Sequence, residues 1–180
     1  MSLSGLGNRY FQGVVSLAVA SNAAIFGLLT HDELQDNEIF VGSFSSGRII
    51  KSWSLGRGRT ATPLGHTSLS LSDDGLRTAV SLAPYRDRRP KNFTNLRLYK
   101  SDSAEVLRAI RTDRDIGQIM LVSGGSVLAS RIDIPSLFAK KACIEKWSLD
   151  QGTLTERFCD QGRHVEVALG ASATSDRVAG

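Results

Sequence analysis

Apolar and polar residues alternate over short stretches through most of the chain. The clearest stretch is 68–72, where serine and leucine alternate, and an Asp73-Asp74-Gly75 turn follows it. A second apolar run at 79–82 comes directly after this turn. Alternation with a period of two predicts half-buried β-strands joined by tight turns. Little sustained helical periodicity competes with this pattern, so the fold class is predicted to be all-β.

The strand pattern also repeats along the chain. The turn glycines Gly75 and Gly125 are 50 residues apart, and the aromatic residues Tyr99 and Trp147 are 48 apart. Each repeat contains four short strands, and a four-stranded repeat with a period in the forties is typical of β-propeller blades. The sequence therefore predicts a β-propeller-like array of four-stranded antiparallel blades.

The repeats predict a domain organisation. Residues 1–13 are small, polar and glycine-rich, and we expect them to be a flexible leader. Residues 14–180 form a partial propeller with units 14–55, 67–112 and 118–159 and a partial unit 163–180. About three complete blades and part of a fourth do not obviously close a ring, since propellers typically have 4–8 blades. We expect missing blades in a longer protein, or self-association of two copies.

Burial should follow from the stacking of the sheets. Leu69 and Leu71 should point to one neighbouring blade, and the small serines of 68–72 to the other, allowing close approach near the axis. The fourth strands carry many charges and should lie on the outside, where charge protects an edge strand from pairing.

Composition and charge narrow the function classes. The chain has 180 residues, 41% hydrophobic and 22% charged, with a formal net charge of +4. Part of the positive charge lies in the predicted loop 84–94, as Arg86, Arg88, Arg89 and Lys91. A solvated loop is the preferred interpretation, and polyanion binding is the alternative. No base-stacking aromatic platform accompanies these residues, so nucleic acid is not an expected partner.

Two cysteines leave two interpretations open. Cys143 and Cys159 fall on the predicted third and fourth strands of one unit, which are antiparallel neighbours. They could form a cross-strand disulfide, or they could be two small buried apolar side chains.

The apolar segment 14–29 also has two interpretations. It contains Ala18-Val19-Ala20, which resembles a signal-peptidase site, and Arg9 precedes it. However, Asn22 interrupts the run at the position where the other units turn, which favours a strand pair. The strand interpretation predicts a cytoplasmic protein with no membrane contact; the targeting interpretation predicts secretion or a membrane anchor.

Four sequence marks resemble WD-repeat propellers. Gly65-His66 precedes a first strand, and Ser72-Asp73-Asp74-Gly75 replaces the family's usual serine-proline-aspartate-glycine turn after it. Trp147-Ser148 and Tyr99-Lys100 stand in the place of the tryptophan-aspartate pair, and Gly152 matches the turn before the fourth strand. The repeats are degenerate: no unit has an intact pair, and Gly42 takes the tryptophan position in the first unit. The expected blade anchors are Trp147, Gly75, Gly125 and Gly152.

The resemblance implies a structural tetrad of hydrogen-bonded side chains. In the family these are a histidine, a second-strand serine or threonine, a turn aspartate and the tryptophan. The matching residues here are His66, Ser81, Asp87 and Tyr99.

Enzyme motifs are missing from the sequence. It contains no phosphate-binding glycine loop, HExxH motif or nucleophile elbow. We therefore expect no catalytic residues, no cofactor, no metal site and no enzyme activity. The acidic segment 31–38 could hold a cation, but it lacks EF-hand spacing and a solvated loop is preferred.

The predicted function is a noncatalytic interaction module, or scaffold. Loops inserted between the second and third strands, at 31–37, 84–94 and 133–140, should gather on one rim and contact a protein partner. The alternative is a fragment of a propeller enzyme such as a lactonase, a quinoprotein or a peptidase-associated domain, since fold alone does not define function.

Overall fold

A computed structural model of the chain describes residues 13–31, 36–57, 61–62, 65–82, 94–112, 116–122, 125–136, 139–162, 170–171 and 178–179. These residues form sixteen β-strands and no helix. Twelve of the strands belong to three four-stranded antiparallel sheets that follow one another along the chain, which we call blades 1, 2 and 3. This architecture confirms the all-β, propeller-like fold class.

Each blade is a simple meander of neighbouring strands. Blade 1 contains β1 (Gly13–Val19), β2 (Ile25–His31), β3 (Asp36–Ser43) and β4 (Arg48–Arg57). A short hairpin of β5 (Ala61–Thr62) and β6 (Gly65–His66) follows. Blade 2 contains β7 (Ser68–Leu71), β8 (Arg77–Ser81), β9 (Leu96–Lys100) and β10 (Val106–Ile110). Blade 3 contains β11 (Ile119–Val122), β12 (Ser126–Ser136), β13 (Ala139–Ser148) and β14 (Thr153–Gly162). A further pair, β15 (Gly170–Ala171) and β16 (Val178–Ala179), comes after blade 3.

The segment 14–29 forms a strand pair, as the repeat register predicted. Val19 pairs with Phe26 across the turn that contains Asn22, and the pairing continues to Gly13 and His31. The leader predicted at 1–13 lies outside the described residues except for Gly13, which begins β1.

The prediction of a rim loop at 133–140 is wrong. β12 runs to Ser136 and β13 begins at Ala139, so the segment continues the hairpin of blade 3. Asp133 still pairs with Lys141, and the register shifts between Asp133 and Ser136. Pro135 lies within this shift, where a residue without a backbone N–H can be accommodated in a strand.

The buried hydrophobic side chains pack between neighbouring blades, so each core cluster is shared by two sheets. One core cluster joins blades 1 and 2, and Leu29, Ile39, Val80 and Tyr99 belong to it. The other joins blades 2 and 3, and Leu96, Ile110, Val127 and Trp147 belong to it. Burial of these apolar faces stabilises the array, at roughly 25 cal/mol per Å² of apolar surface removed from water.

Serine side chains connect the first strands of neighbouring blades. Ser16 Oγ in blade 1 accepts a hydrogen bond from the Leu69 N–H in blade 2, at 3.2 Å. Ser68 and Ser70 of blade 2 accept hydrogen bonds in the same way from the N–H groups of Ile119 (3.3 Å) and Leu121 (2.9 Å) in blade 3. The sequence predicted that these small serines allow neighbouring blades to approach closely. They also accept hydrogen bonds from backbone N–H groups that the sheet edge would otherwise leave unpaired.

The turns between third and fourth strands repeat one conformation. The N–H groups of Gly47, Ala104 and Gly152 each donate to the carbonyl oxygen of the residue four positions earlier, at 2.8–2.9 Å. All three residues have positive φ angles, of 65°, 63° and 70° respectively. Ala104 thus occupies a left-handed position that glycine occupies in the other two blades, and a Cβ is unfavourable there.

Replacing Ala104 by glycine should raise the free energy of unfolding by about 0.5–1 kcal/mol, because it removes the Cβ strain of the left-handed conformation. The reverse change, Gly47→Ala, should lower it by about 1 kcal/mol. No atom lies within 4 Å of the position of a Cβ at Gly47, so this control measures backbone conformation alone. Urea unfolding would measure both values, and effects of the same sign in the two variants would contradict the interpretation.

Replacing Ser70 by alanine should lower the free energy of unfolding by about 1–3 kcal/mol, since the Leu121 N–H would lose its acceptor at a part-buried position. Ser45→Ala is the matched control, because the Ser45 hydroxyl is exposed. Its hydrogen bond is to another exposed hydroxyl, that of Ser43. Thermal and urea unfolding of both variants would test this. Equal effects of the two substitutions would show that the interblade bond contributes nothing.

Candidate functional site

Ser81 joins blade 2 to the segment that leads into blade 3. Its side chain is fully buried, and its Oγ accepts a hydrogen bond from the Ser68 N–H at 3.0 Å. The same hydroxyl donates to the Gly117 carbonyl oxygen at 2.9 Å. Through these two bonds the second-strand serine stabilises the structure at this boundary.

The structure does not bring Ser81 and Tyr99 together. Ser81 pairs with Leu96, three residues from Tyr99 on β9, so the two side chains point to opposite faces of blade 2. The Tyr99 ring is buried against blade 1, where its centroid lies 5.3 Å from that of Trp53. Asp87 and the His66 side chain lie outside the described part of the chain, so the tetrad as a whole stays a prediction.

A buried glutamate positions the Trp147 indole. Trp147 Nε1 donates to Glu145 Oε2 at 3.1 Å, and the Glu145 side chain is only 1% exposed. Arg157 on the next strand donates through Nε to Glu145 Oε1 at 2.9 Å and forms an ion pair with it. Sequence reasoning missed Glu145. Its position two residues before Trp147 on the same strand face was the available signal.

Three of the predicted anchors are turn glycines with positive φ. Gly75, Gly125 and Gly152 have φ angles of 71°, 73° and 70°. Gly75 has a second constraint, because a Cβ there would lie 2.8 Å from the Ile25 Cβ of blade 1. The close approach of the two blades at this turn therefore requires the absence of a side chain.

The turns between strands 1–2 and 3–4 of the blades form a surface that we call the turn rim. It lies at the opposite ends of the strands from the inserted loops that the sequence predicted as the binding surface. An apolar cavity of about 300 Å³ opens here between blades 1 and 2, and we call it the interblade pocket. Its lining residues are Ala23, Ile25, Val41, Ile50, Asp74, Gly75, Leu76, Ser101 and Asp102.

Two pocket side chains are apolar and exposed. Leu76 is 61% exposed and Ile50 is 47% exposed, and they come from different blades. A more polar cavity of about 240 Å³ lies nearby, and Asn22, Asp73, Arg77 and Gly125 are among its lining residues. The turn rim therefore combines an apolar depression with charged side chains.

The aspartates at this rim are held by hydrogen bonds. Ser72 Oγ donates to Asp74 Oδ1 at 2.6 Å, and the Leu76 N–H donates to the same oxygen at 2.9 Å. These bonds hold the pKa of Asp74 below its ordinary value of 3.8. Asp73 joins the two blades, since its side chain accepts from Ser21 Oγ and its backbone oxygen accepts from the Asn22 N–H.

The remaining loop and charge predictions lie largely outside the described residues. Positions 32–35 and 83–93 are not described, so the acidic loop and the basic patch at Arg86, Arg88, Arg89 and Lys91 stay predictions. Within the described ranges, no group of three or more His, Cys, Asp or Glu residues is arranged to hold a metal ion.

Cys143 and Cys159 form a disulfide, which decides between the two interpretations left open by the sequence. They are directly paired on β13 and β14 of blade 3. The bond links the outer strand of this blade to a buried position on its neighbour, since Cys143 is 1% exposed.

None of the described segments is a helix long and apolar enough to cross a membrane.

Solved structures similar to this chain include a β-propeller domain. The computationally designed Ika4 protein has a TM-score of 0.55 at 14% identity, and the match covers 92% of this chain and 83% of that one. Hydrazine synthase from Kuenenia stuttgartiensis has a TM-score of 0.54 at 14% identity, with coverages of 81% and 36%. The β-propeller domain of the trilobed protease from Pyrococcus furiosus has a TM-score of 0.51 at 12% identity, with coverages of 84% and 43%.

These matches define the class of protein by its fold. The three blades are those of a β-propeller, as the sequence pattern and the resemblance predicted. At 12–14% identity the likeness shows the fold alone. The chain spans about a third to two fifths of the two natural proteins that it matches here. No protein-family model and no curated protein sequence matches the chain.

The prediction that the chain is not an enzyme is contradicted at the level of the fold, because enzymes are among the proteins that contain this fold, and the fold leaves the enzymatic status of the chain open. Two of the three similar structures belong, by name, to hydrazine synthase and to a protease. A propeller can carry catalytic groups on its loops or lack them, since the blades supply only the scaffold. The lack of a familiar motif was therefore insufficient reason to exclude catalysis.

Replacing Asp74 by asparagine should lower stability above about pH 4, because the neutral amide replaces a carboxylate held by two hydrogen bonds. The folded pKa of Asp74 is depressed, so its contribution is present above the ordinary value of 3.8 and is lost as pH falls through the folded value. The stability difference between wild type and Asp74→Asn should therefore shrink as the medium is acidified.

Urea unfolding from about pH 6 down to about pH 2.5 measures this difference. Ser72→Ala serves as the comparison, since it removes the largest cause of the depressed pKa of Asp74. It should therefore narrow the pH range over which the contribution of Asp74 to stability is lost. A stability difference that stays constant with pH would contradict the assignment.

Proposed function

We propose that this chain is part of a propeller that binds a protein partner at the turn rim. The observation that carries the proposal is the interblade pocket, an apolar cavity of about 300 Å³ between blades 1 and 2. Leu76 and Ile50 at its edge are 61% and 47% exposed, although both are large and apolar. Apolar side chains around a depression are typical of surfaces that receive an anchor residue from another protein.

The chemistry of the pocket indicates what the partner offers. Its wall is apolar, which suits a leucine, isoleucine, methionine or phenylalanine side chain. Asp74 lies at its edge and is ionised at neutral pH, as an aspartate with an ordinary or lowered pKa is. A lysine or arginine beside the anchor would meet this carboxylate, so the partner segment is expected to combine an apolar anchor with a neighbouring cation.

The rigidity of the surrounding backbone supports binding at this place. The Ser101 N–H donates to the Leu76 carbonyl oxygen at 2.9 Å, which ties the two turns of blade 2 together. The Asn22 N–H donates to the Asp73 carbonyl oxygen across the blade boundary at 2.9 Å. A pocket held by such bonds loses little conformational entropy when it is filled.

The compartment is a separate question. The cytoplasmic location expected from the sequence stays a prediction, and the Cys143–Cys159 disulfide is a feature more typical of proteins from oxidising compartments.

Selection of short random peptides on the immobilised chain would test the binding proposal. Selected peptides should share an apolar anchor next to a lysine or arginine, and Leu76→Glu and Ile50→Glu should weaken their binding by at least roughly tenfold. Leu107→Glu is the matched control, since Leu107 is 42% exposed on the outer strand of blade 2 and should leave the affinity unchanged.

Isothermal titration calorimetry measures the peptide affinity of the three variants, and circular dichroism verifies that each is folded. Peptides that bind all three variants equally would place the interaction elsewhere and overturn the proposal.

A further inference from the structure

The outer strands of the three blades are held in different ways. In blade 1, Trp53 and Leu55 of β4 pack against the cluster shared with blade 2. In blade 2, Ile110 at the end of β10 is buried in the cluster shared with blade 3. In blade 3, Leu154 of β14 packs against the same cluster, but the side chains of 155–159 are all exposed. The middle of β14 therefore lacks the apolar burial that fixes the other outer strands.

Two side-chain connections take the place of this burial. Cys159 is bonded to Cys143, and Arg157 forms an ion pair with Glu145. Both connections join directly paired residues of β13 and β14, and they lie on the same strand face because the pairs are two residues apart. β14 is the end strand of its sheet, so in the part of the chain that the structure describes its neighbour in the blade is β13 alone.

The partners on β13 are anchored in the core. Cys143 and Glu145 are buried, and Trp147 belongs to the cluster shared by blades 2 and 3. Glu145 Oε2 accepts the Trp147 indole N–H, while its other oxygen accepts from Arg157 Nε on β14. Withdrawal of Arg157 would leave a buried carboxylate without this cation, which is unfavourable in a surrounding of low dielectric constant.

The two sulfur atoms differ in their accessibility. Cys159 lies on the exposed stretch of an outer strand, whereas Cys143 is buried. In thiol–disulfide exchange a thiolate attacks one sulfur and the other leaves as a thiolate. A small thiolate therefore attacks Cys159 Sγ, forms a mixed disulfide with it and expels the Cys143 thiolate, which takes up a proton. A second thiol then displaces Cys159, so two small thiols are oxidised to one disulfide and both cysteines become thiols.

We propose that the Cys143–Cys159 disulfide is a redox-sensitive latch on the outer strand of blade 3, opened by small thiols at Cys159. Opening releases this part of β14 from β13 and withdraws Arg157 from Glu145, while blades 1 and 2 keep their structure. The bond restricts the detached states of the strand because it joins residues only 16 apart in sequence. Redox switches act in this way, by removing a local constraint from an element that has two arrangements. The latch is independent of peptide binding at the turn rim.

Amide hydrogen exchange of the wild-type chain, with and without an excess of a small monothiol such as 2-mercaptoethanol, tests the latch. Reduction should raise the exchange rate in the second half of β14 on the order of 10- to 100-fold, the effect expected when a loop of this size loses its cross-link. Amides of β10, the outer strand of blade 2, should keep their protection. Alkylation during partial reduction should trap the small thiol on Cys159 and the alkyl group on Cys143.

Trp147 fluorescence gives a second readout. In a Trp53→Phe background Trp147 is the one remaining tryptophan. Reduction should shift its emission to longer wavelength and increase its quenching by acrylamide, because the Glu145 carboxylate that positions the indole loses its cation. The double variant Cys143→Ala/Cys159→Ser should show the same emission with or without the thiol.

Arg157→Gln separates the ion pair from the disulfide. It should reproduce the shift in Trp147 emission without reductant, since it removes the cation from Glu145 and leaves the disulfide intact. Glu156→Gln is the matched control, because it breaks the exposed ion pair of Lys146 and Glu156 on the opposite face of the same two strands. It should leave the emission unchanged, and circular dichroism verifies that every variant is folded.

Three results would overturn the proposal. Unchanged β14 exchange and unchanged Trp147 emission after complete reduction would show that the bond holds nothing in place. Loss of protection in all three blades would show that the disulfide supports the whole array instead of one strand. A small thiol trapped on Cys143 would contradict the assignment of Cys159 as the accessible sulfur.

Discussion

The array depends on how one blade satisfies the edge of the next. The first strand of a four-stranded sheet has outward N–H groups that its own sheet cannot use, and its leucines project from one face of the sheet toward a neighbouring blade. Ser16, Ser68 and Ser70 accept those N–H groups from the following blade, and the leucines fill the space between the sheets. Hydrogen bonding and apolar burial therefore act at the same boundary, and no blade completes its own core.

The boundaries between blades also create the surfaces where binding is proposed. The interblade pocket exists because Gly75 lets the turn of blade 2 approach Ile25 of blade 1, while the apolar side chains beside it remain partly uncovered. The side chains of a propeller that can bind or react lie at such turns and loops, since most strand side chains are packed between blades. For that reason likeness to hydrazine synthase or to a protease domain defines the scaffold, and function has to be argued from side chains.

Much of the strand arrangement could be predicted because alternation is a local property. The four strands of blade 2 and the turn at Gly75 follow from residues that are neighbours in sequence. The segment 133–140 was predicted wrongly because a proline such as Pro135 usually indicates a loop. In the structure the cross-strand pairing continues past it, and a register shift accommodates the proline. Glu145 was missed because a charged residue on a strand is normally exposed, and only Arg157 and the Trp147 indole explain its burial.

The sequence by itself determined the all-β class, the order of the strands and the repeat that groups them into blades, since each rests on a period of two and on turn residues. Only the tertiary structure decided which side chains meet across a repeat. It separated Ser81 from Tyr99 on opposite faces of blade 2 and joined Cys143 to Cys159. It also left Leu17 exposed while burying the equivalent Leu69. Identical local patterns can have different surroundings, because burial is set by the blade that packs against them.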